Sequence, residues 1–542
     1  MSTCQLRMSQ SFHLVSSVPC KAPPQKPSSN CGSDLAVRFG AATLNESSEE
    51  AACAVRSERK KVIVVGAGIS GLRAAAVLRH HGCDVVVLEA RDRIGGRILT
   101  SRKGDHVRDI GAAWMHETSQ NDLVKLIPRL NIPYYYDDGL PVYFTREGRA
   151  GSQFKAKKVA DEFADYCAWY YETNPDAEDR SVDEFAKEFA QKHQLITEDE
   201  RQWAPQAVRE IELWIGTSTE EASSKHMAYF ITERNLYMKG GYDQIVNWTA
   251  EPLKEDPSIV RLEHHVEHVE WNEDGDEPAR IRYKDANGTV DTIEGDAVVM
   301  TLPLGVYHHN LISFNPPLPS DIQEGVDKFS YGALGKVFFE FTDVFWAKDN
   351  DQFIYYPSPE EEPRSASPSV ASYSSRGSLS SMGERDNILN YATVTINLWI
   401  MTGGKELCVQ IAEPLTQRIE EMEDQKEIYE FFEPLFKLFR TEPYKALPPL
   451  VNVETTHWTQ DPLAGYGTYS ADKVGDNAEL LIDALKAHEK SRMQFAGEHC
   501  TLVANGCVHG AFRTGEVAAV NLLRGFGIPI DKKEVVVNAD LR

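Results

Sequence analysis

One stretch near the start of the chain constrains its fold more than any other. It spans Val62–Arg97 and begins VIVVGAGISGLRAAAVLRHHGCDVVVLE. Uninterrupted β-branched residues predict one buried strand over Lys60–Val65 and a second over Asp84–Leu88. Between them, the periodicity predicts a helix over Ser70–His80, with Gly82 as its stop signal. A strand, a helix and a strand in this order predict an α/β fold with a parallel sheet.

The turn between the first strand and the helix carries the pattern G-x-G-x-x-G, at Gly66, Gly68 and Gly71. Gly66 permits a tight turn, Gly68 lets the backbone approach a pyrophosphate, and Gly71 lets the helix pack on the strand. The phosphates then lie at the helix N-terminus, where free N–H groups and the helix dipole favour anions. The loop, including Ala67 and Ser70, is therefore predicted to bind a dinucleotide.

An acidic residue and a second glycine–arginine segment follow the second strand. Glu89 comes 18 residues after Gly71, a spacing that suits a carboxylate bound to ribose hydroxyls and disfavours the 2′-phosphate of NADP. In the run EARDRIGGR, Gly96 permits another close backbone approach. Arg91 and Arg97 offer planar guanidinium donors to a pyrophosphate. The run therefore predicts a second phosphate-facing element.

Composition and charge exclude several classes of protein. The 542 residues carry a formal net charge of −25, which argues against nucleic-acid binding because a basic surface is missing, and mildly favours cationic ligands. The sequence has no apolar run of about 18 residues, so no membrane-spanning helix is predicted. Nine cysteines without a CxxC pair predict neither a disulfide framework nor a metal site. With no secretory signal, we expect a reducing, cytoplasmic setting.

The order of the elements predicts two interleaved domains. Helical periodicity dominates 121–239, and strands return from Val260 onwards, with a hairpin turn at Asn287–Gly288. Low apolar content predicts disorder at the N-terminus and in one Ser- and Pro-rich loop. The predicted segments are a disordered extension (1–58), a dinucleotide-binding domain (59–120, 240–325 and 450–525), a substrate-binding α+β domain (121–239 and 326–449, with the loop 357–387) and a C-terminal tail (526–542).

Six further blocks, in order along most of the chain, resemble the flavin amine oxidase superfamily, as does the run EARDRIGGR. This resemblance implies FAD rather than NAD as the cofactor, bound by a Rossmann-like domain. The blocks are DIGAAWMH (109–116), RLEHHVEHVEW (261–271), VVMTLPLGV (298–306), GALGKVFFEF (332–341), HWTQDPLAGYGTYS (457–470) and FAGEHCTLVANGCVHGAFRTGEVAA (495–519).

The resemblance also implies which residues contact FAD. The segment Gly111–Trp114 is expected beneath the flavin ring, Val266 at the adenine, and Glu498 at the ribityl or phosphate region. The full expected set is Gly66, Ala67, Gly68, Ser70, Gly71, Glu89, Arg91, Gly96, Arg97, Gly111, Ala112, Ala113, Trp114, Val266, Trp458, Glu498, Cys507 and Val508.

Four side chains are candidates for chemistry and substrate binding. Lys336 lies in an otherwise apolar strand, where a lysine is costly unless it has a partner and a purpose. The resemblance implies that it holds a water against flavin N5, which makes it a catalytic candidate. His116 is a candidate to position the substrate nitrogen or to influence its protonation. Trp458 and Tyr469 are expected to form aromatic walls for the amine.

Within the superfamily, the sequence most resembles the fungal polyamine (spermine) oxidases. AGYGTYS lacks the cysteine that binds flavin covalently in monoamine oxidases, so non-covalent FAD is expected. The helical domain and coiled-coil insertion of the histone demethylases do not appear either. The implied reaction oxidises a C–N bond, transfers a hydride to flavin N5 and reduces O2 to hydrogen peroxide, and the imine hydrolyses to an aldehyde and an amine.

Two alternatives stay open at this point. One is an FAD-dependent oxidase of specialised metabolism that acts on a secondary amine or an amino-acid-derived intermediate. The other is a non-catalytic FAD-binding protein, against which Lys336 argues. Carboxylates that face the substrate tunnel would favour polyamines, and the candidates are Glu117, Asp183, Glu210 and Glu212.

Overall fold

The computed structural model describes residues 59–103, 106–137, 139, 141–151, 154–193, 197–229, 234–272, 277–359 and 387–531. Three sequence predictions therefore lie wholly or mostly outside the described residues. They are the disordered extension 1–58, the loop 357–387 apart from its ends, and the C-terminal tail after residue 531.

A five-stranded parallel sheet carries the glycine loop and confirms the predicted α/β fold class. Its central strand, Lys61–Val65, pairs on one side with Asp84–Leu88 and on the other with Ala297–Met300. Alternate residues of the central strand enter two different apolar cores, one on each face. Burial on both faces explains why these strands are uninterrupted apolar runs. In spatial order the strands are Val260–Arg261, Asp84–Leu88, Lys61–Val65, Ala297–Met300 and Met493–Phe495.

Two layers cover this sheet. On one face, the helix Ile69–His80 packs beside the long C-terminal helix Val508–Gly525, and both contribute to the same apolar core. On the other face lies a four-stranded sheet, whose predicted Asn287–Gly288 turn is confirmed between two antiparallel strands. Its strands in spatial order are Val290–Gly295, Ala279–Lys284, His265–Glu270 and Ser313–Asn315.

A seven-stranded sheet positions Lys336. The strand Leu334–Phe341 contributes Val337 and Phe339 to an apolar core beneath the helix Gln425–Phe439. Because side chains alternate along a strand, Lys336 faces the opposite side. The strands in spatial order are Leu450–Thr455, Leu334–Phe341, Glu406–Ala412, Thr393–Asn397, Gln352–Tyr355, Val142–Thr145 and Gly148–Arg149.

The prediction that helices dominate 121–239 did not include the strands that the structure shows in this segment. Tyr134–Asp137 and Asn235–Met238 pair with each other, and Trp114–Met115 joins them in a three-stranded sheet. Val142–Thr145 and Gly148–Arg149 join the seven-stranded sheet. Short strands of this kind are formed by partners distant in the sequence, so local periodicity does not reveal them.

Further short elements complete the described part of the fold. The segment 413–440 forms two helices, and Asp424 caps the second of them. Two small antiparallel pairs complete the strands: Thr100–Lys103 with His106–Asp109, and Ser330–Gly332 with Tyr469–Ala471. The other α-helices are Leu126–Leu130, Ala156–Thr173, Val182–Lys192, Glu198–Val208, Glu212–Ile215, Asp243–Ala250, Leu304–His308, Ser320–Asp327, Leu398–Thr402, Leu415–Glu420 and Ala478–Ala487. Among the described residues, no helix combines the length and the apolar character needed to cross a bilayer.

The contact between the two helices on the parallel sheet gives a stability prediction. A Cβ atom added to Gly515 would lie 2.1 Å from the carbonyl oxygen of Ser70, so Gly515→Ala forces the helices apart. We expect it to lower the free energy of unfolding by about 1–3 kcal/mol in urea denaturation. The matched control is Gly151→Ala, whose Cβ would meet no atom within 4 Å. Equal stability of the two variants would contradict the close helix contact.

Candidate functional site

One cavity of about 880 Å³ connects the glycine loop to Lys336 and then to a cluster of polar residues near Trp214. All of the residues predicted to contact FAD, to take part in the chemistry or to form the aromatic walls line this cavity, except Ala67 and Gly71. Ala67 instead donates its backbone N–H to Glu89 Oε2 at 2.7 Å. A Cβ atom on Gly71 would lie 2.1 Å from the carbonyl oxygen of Gly66, so Gly71 serves the close helix–strand contact.

The glycine loop leaves an open anion site at the start of the helix Ile69–His80. Gly68 is the N-cap residue, no side chain caps the helix, and its first turn holds no acidic residue. The first N–H groups of the helix therefore have no intrahelical partner. A Cβ atom on Gly68 would meet no atom within 4 Å, which leaves space for a ligand directly against the backbone.

Glu89 ties the loop to the end of the second strand. Besides the bond from Ala67, Glu89 Oε1 accepts the backbone N–H of Arg91 at 2.9 Å. Glu89 is buried and lines the cavity. Its contact with a ribose stays a prediction.

An ion pair between Arg97 and Glu498 lies in the cavity wall, with Glu498 buried and the Arg97 side chain 23% exposed. Arg97 Nη1 donates to Glu498 Oε1 at 2.8 Å and to the carbonyl oxygen of Thr468 at 2.8 Å. Glu498 Oε2 accepts from the hydroxyl of Ser470 at 2.7 Å and from the N–H of Gly506 at 3.0 Å. Burial alone would raise the pKa of Glu498, but the Arg97 charge and these bonds hold it below the ordinary value. Glu498 therefore stays ionised and fixes three separate segments of the wall.

The second predicted arginine is paired with a different carboxylate. Arg91 Nη2 lies 2.7 Å from Asp461 Oδ2, and both side chains are mostly buried. Among the described residues, Arg97 Nε and Nη2 have no protein partner, so these donors remain for a cavity ligand. The Arg91 side chain likewise bonds to the described residues through Nη2 alone, so both arginines keep donors for a phosphate.

Lys336 is buried with its ammonium on two backbone carbonyls. Nζ donates to the carbonyl oxygen of Asp109 at 3.0 Å and to that of Gly111 at 2.5 Å, and it lies 5.4 Å from the ring centroid of Trp114. Burial lowers the pKa of Lys336, although the nearby Cys408 and Asp109 act in the opposite direction. An ammonium has three donors, so one remains for a ligand or a water in the cavity.

His116 and two aromatic residues line the far half of the cavity. His116 Nδ1 lies 2.9 Å from Asn235 Oδ1, which makes Nε2 the acceptor nitrogen of a neutral ring. Burial lowers the pKa of His116, against the effect of the Asn235 bond. The Tyr469 hydroxyl donates to the carbonyl oxygen of Trp214 at 2.8 Å. Trp458 donates its Nε1–H to the carbonyl oxygen of Ile110 at 3.2 Å, so its ring orientation is fixed.

Carboxylates collect at this far half of the cavity. Of the four predicted candidates, Glu117 and Glu210 line the cavity, and Asp183 and Glu212 do not. Glu210 accepts the Tyr356 hydroxyl at 2.8 Å, and burial raises its pKa. Glu212 pairs with Arg209, and Asp183 pairs with Lys187 on the same helix.

Comparison with known proteins identifies the family. Residues 69–523 match the profile of the flavin-containing amine oxidoreductases. The chain belongs to this family. The similar proteins include the corticosteroid-binding protein of Candida albicans, 28% identical over 492 residues (86% of this chain and 96% of that protein). They also include polyamine oxidase 4 of Oryza sativa subsp. japonica, 28% identical over 480 residues (84% and 87%).

The fold of this amine oxidoreductase is also that of a solved structure. A putrescine oxidase variant from a redesign of cofactor binding matches with a TM-score of 0.61 at 20% identity, over 86% of this chain and 99% of that chain. The predicted superfamily and the predicted fold class are therefore confirmed.

The family implies a flavin, and the cavity of this oxidoreductase fits FAD. The open helix N-terminus and the space at Gly68 suit a pyrophosphate. The free donors of Arg97 suit the same anion, and the buried Glu89 presents a carboxylate acceptor to the same cavity. The cavity continues from there to Trp458 and Lys336, which leaves room for the ring.

The sequence analysis did not identify three residues that line the cavity of this amine oxidoreductase: Asp137, Asn235 and Gln352. Asp137 accepts Trp114 Nε1–H at 3.0 Å and Gln352 Nε2–H at 2.7 Å, and Asn235 holds His116. These residues come from strands that the sequence did not predict, or from positions with no motif. The one signal available was the row of aromatics Tyr134–Tyr136 before Asp137, which is typical of a strand.

Glu498 accepts four hydrogen bonds, counting one from the backbone N–H of Ser470 at 3.3 Å, and they give a prediction with a defined pH dependence. Glu498→Gln removes the charge that Arg97 needs, so we expect the free energy of unfolding at pH 7 to fall by about 3 kcal/mol. The pKa of Glu498 in the folded protein lies below its ordinary value of 4.5. The contribution of Glu498 to the free energy of unfolding is therefore fully present above pH 4.5 and is lost as the pH falls through the lowered pKa.

Urea unfolding of the variant and the original protein at pH 7 and below pH 4.5 measures this difference. We expect the difference to be largest at pH 7 and to shrink in acid. The control is Glu294→Gln, which breaks an exposed ion pair with Arg280 and should change stability by less than about 1 kcal/mol. A difference for Glu498→Gln that grows in acid would contradict the assigned charge state.

Proposed function

We propose that this flavin-containing amine oxidoreductase is a polyamine oxidase that uses non-covalently bound FAD and O2. The observation that carries this substrate class is the pair of carboxylates Asp137 and Glu210 in the cavity, beyond Lys336. A substrate with several amino groups has one nitrogen at the flavin and another, still charged, at these carboxylates. A lone amine would bring no second cation to these carboxylates, of which Glu210 also lies 4.0 Å from Lys157 Nζ.

Bound FAD would supply the oxidising chemistry: uptake of a hydride equivalent from the carbon next to the amine, and transfer of two electrons, with two protons, to O2 to give hydrogen peroxide. In this proposal the layers around the parallel sheet bind FAD. The seven-stranded sheet and the helices of 121–239 bind the amine. The imine product hydrolyses to an aldehyde and an amine.

Each candidate side chain has a defined task in the proposed reaction. His116 accepts a proton at Nε2 from the substrate ammonium, since hydride loss requires an uncharged nitrogen and Nδ1–H is held by Asn235. Lys336 uses its third N–H to hold a water molecule beside the flavin. Trp458 and Tyr469 form the aromatic walls around the reacting amine.

Cys507 supports the non-covalent attachment. It lines the cavity at the N-cap of the helix Val508–Gly525, and burial, with the Glu117 and Glu498 charges, raises its pKa to about 12. A thiol with such a pKa stays protonated and is a poor nucleophile. Acid precipitation should therefore release the flavin into the supernatant, whereas a flavin that stays with the pellet would indicate a covalent bond.

The test of the function is a substrate panel on the purified protein. We expect a yellow protein that releases hydrogen peroxide with spermine, spermidine or their acetylated forms. A colourless protein that does not take up FAD would overturn the cofactor assignment. A yellow protein that oxidises other secondary amines or amino-acid-derived intermediates, and no polyamine, would favour the oxidase of specialised metabolism.

For Lys336 we predict a loss of rate without a loss of cofactor. Lys336→Met should retain FAD, because no predicted phosphate contact changes, and should slow amine turnover by about 100-fold. Stopped-flow measurement of flavin reduction and reoxidation separates the two half-reactions. The control is Lys405→Met, an exposed lysine on the carbonyl oxygen of Thr342. Unchanged rates in both half-reactions would remove Lys336 from the mechanism.

For Asp137 we predict a change in substrate binding. Asp137→Asn keeps the size of the side chain and removes its charge, so KM for a polyamine should rise by about tenfold. KM for a substrate with a single nitrogen should change much less. Asp183→Asn, outside the cavity, is the matched control and should leave both values unchanged. Equal effects of Asp137→Asn on both substrates would contradict a second ammonium site.

A further inference from the structure

The residue after His116 has an unusual backbone conformation. Glu117 has φ of +53°, in the left-handed region that residues with a Cβ atom rarely adopt. Its carbonyl oxygen accepts the N–H groups of Gln120 at 2.8 Å and Asn121 at 2.9 Å. The Asn121 side chain donates back to the carbonyl oxygen of His116 at 2.9 Å. The orientation of His116 therefore depends on this turn.

One helix holds the turn through two side chains. His509 Nε2 lies 3.2 Å from Glu117 Oε2, and Arg513 donates to the carbonyl oxygen of Gln120. His509 and Arg513 are four residues apart and so lie on the same face of the helix Val508–Gly525. Arg513 also lies 3.3 Å from Asp122, which extends the contact along the turn.

The Glu117 carboxylate is thus already bound within the protein. His509 is almost completely buried, and the Glu117 side chain is 15% exposed. The bond with His509 lowers the pKa of Glu117, although burial acts against it. A carboxylate held in this way is a poor candidate for direct binding of a substrate ammonium, which was its predicted task.

We propose that His509 is a positioning residue, whose bond to Glu117 holds the left-handed turn and thereby places His116 at the substrate. The same helix presents Cys507 and Val508 to the cavity at its first turn. The bond therefore connects the element beside the cofactor region to the residue that faces the amine. The effect on turnover rests on the proposed function, whereas the effect on the turn does not.

Hydrogen exchange of the holoenzyme tests the structural part without any substrate. The amides of Gln120 and Asn121 report on the turn because Glu117 accepts both. We expect His509→Leu to raise their exchange rates by about tenfold or more, and His509→Gln, which retains a donor, to raise them much less. His488→Gln, at an exposed pair with Asp321, is the control and should change neither rate. Unchanged exchange in His509→Leu would overturn the proposal.

If His509→Leu does not fold, Glu117→Ala takes its place in the exchange measurement, because it breaks the same bond at the more exposed partner.

Amine turnover then distinguishes a positioning role of Glu117 from direct binding of the substrate. Glycine adopts positive φ freely, so Glu117→Gly should retain more amine turnover than Glu117→Ala, and Glu117→Gln should retain most. Flavin reduction should slow by about tenfold in His509→Leu, and reoxidation by O2 should be unchanged.

Three results would overturn the positioning role. Equal turnover of Glu117→Gly and Glu117→Ala is one, and equal slowing of both half-reactions in His509→Leu is another. The third is a loss of amine turnover in Glu117→Gln as large as that in Glu117→Ala. That result would mean that the Glu117 charge binds the substrate and does not act through the turn. Absence of turnover in the original protein with every amine would refute the proposed function, and the exchange measurement would still decide the role of His509.

Discussion

The buried ammonium group of Lys336 determines how the chain must pack around it at the centre of this protein, because it needs fixed hydrogen-bond acceptors. Lys336 is 7% exposed and lies in a strand between apolar neighbours. A charge in such a place is stable only when donors and acceptors around it are fixed in advance. The carbonyl oxygens of Asp109 and Gly111 supply that environment. The segment 106–111 must therefore lie against the seven-stranded sheet, and this contact brings the segment Gly111–Trp114, which is predicted to face the flavin, to the lysine.

The neighbouring charges explain how the segment is held there. Arg108, 3% exposed, bonds to Glu406 and Glu340 on two adjacent strands and to Glu454 on a third. Burial opposes its charge, but the bonds to Glu406 and Glu454 keep its pKa above the ordinary value. Glu340 lies four residues after Lys336 and so on the same face of the strand. The ion-pair network of Arg108 at one end of this strand face thus fixes the neighbouring backbone, whose carbonyl oxygens bind Lys336 at the other end.

The parts of the site that could be predicted are those that the local sequence determines. The parallel strands followed from uninterrupted β-branched runs, and Lys336 and Glu498 followed from blocks with recognisable order. Asp137 could not be predicted, because its strand exists only through pairing with Asn235–Met238, about a hundred residues away. Glu210 and Glu212 illustrate the same limit. They are two residues apart, yet a 3₁₀ turn at Arg209–Ile211 directs one to the cavity and the other to Arg209.

The charges along the cavity differ between its two ends. This difference matters for the proposed polyamine substrate, which would have to lose a proton from one nitrogen and keep the charge on another. Lys336 and Arg97 lie towards the glycine loop, and they disfavour a cation there by repulsion. Burial lowers the pKa of His116 and so favours its neutral form, which the proposed reaction requires. Further along, Asp137 and Glu210 favour a cation by attraction. Under the proposed function, a substrate with two or more amino groups would experience both environments at once, so the charge distribution that anchors its distant nitrogen would also favour deprotonation of its reacting nitrogen.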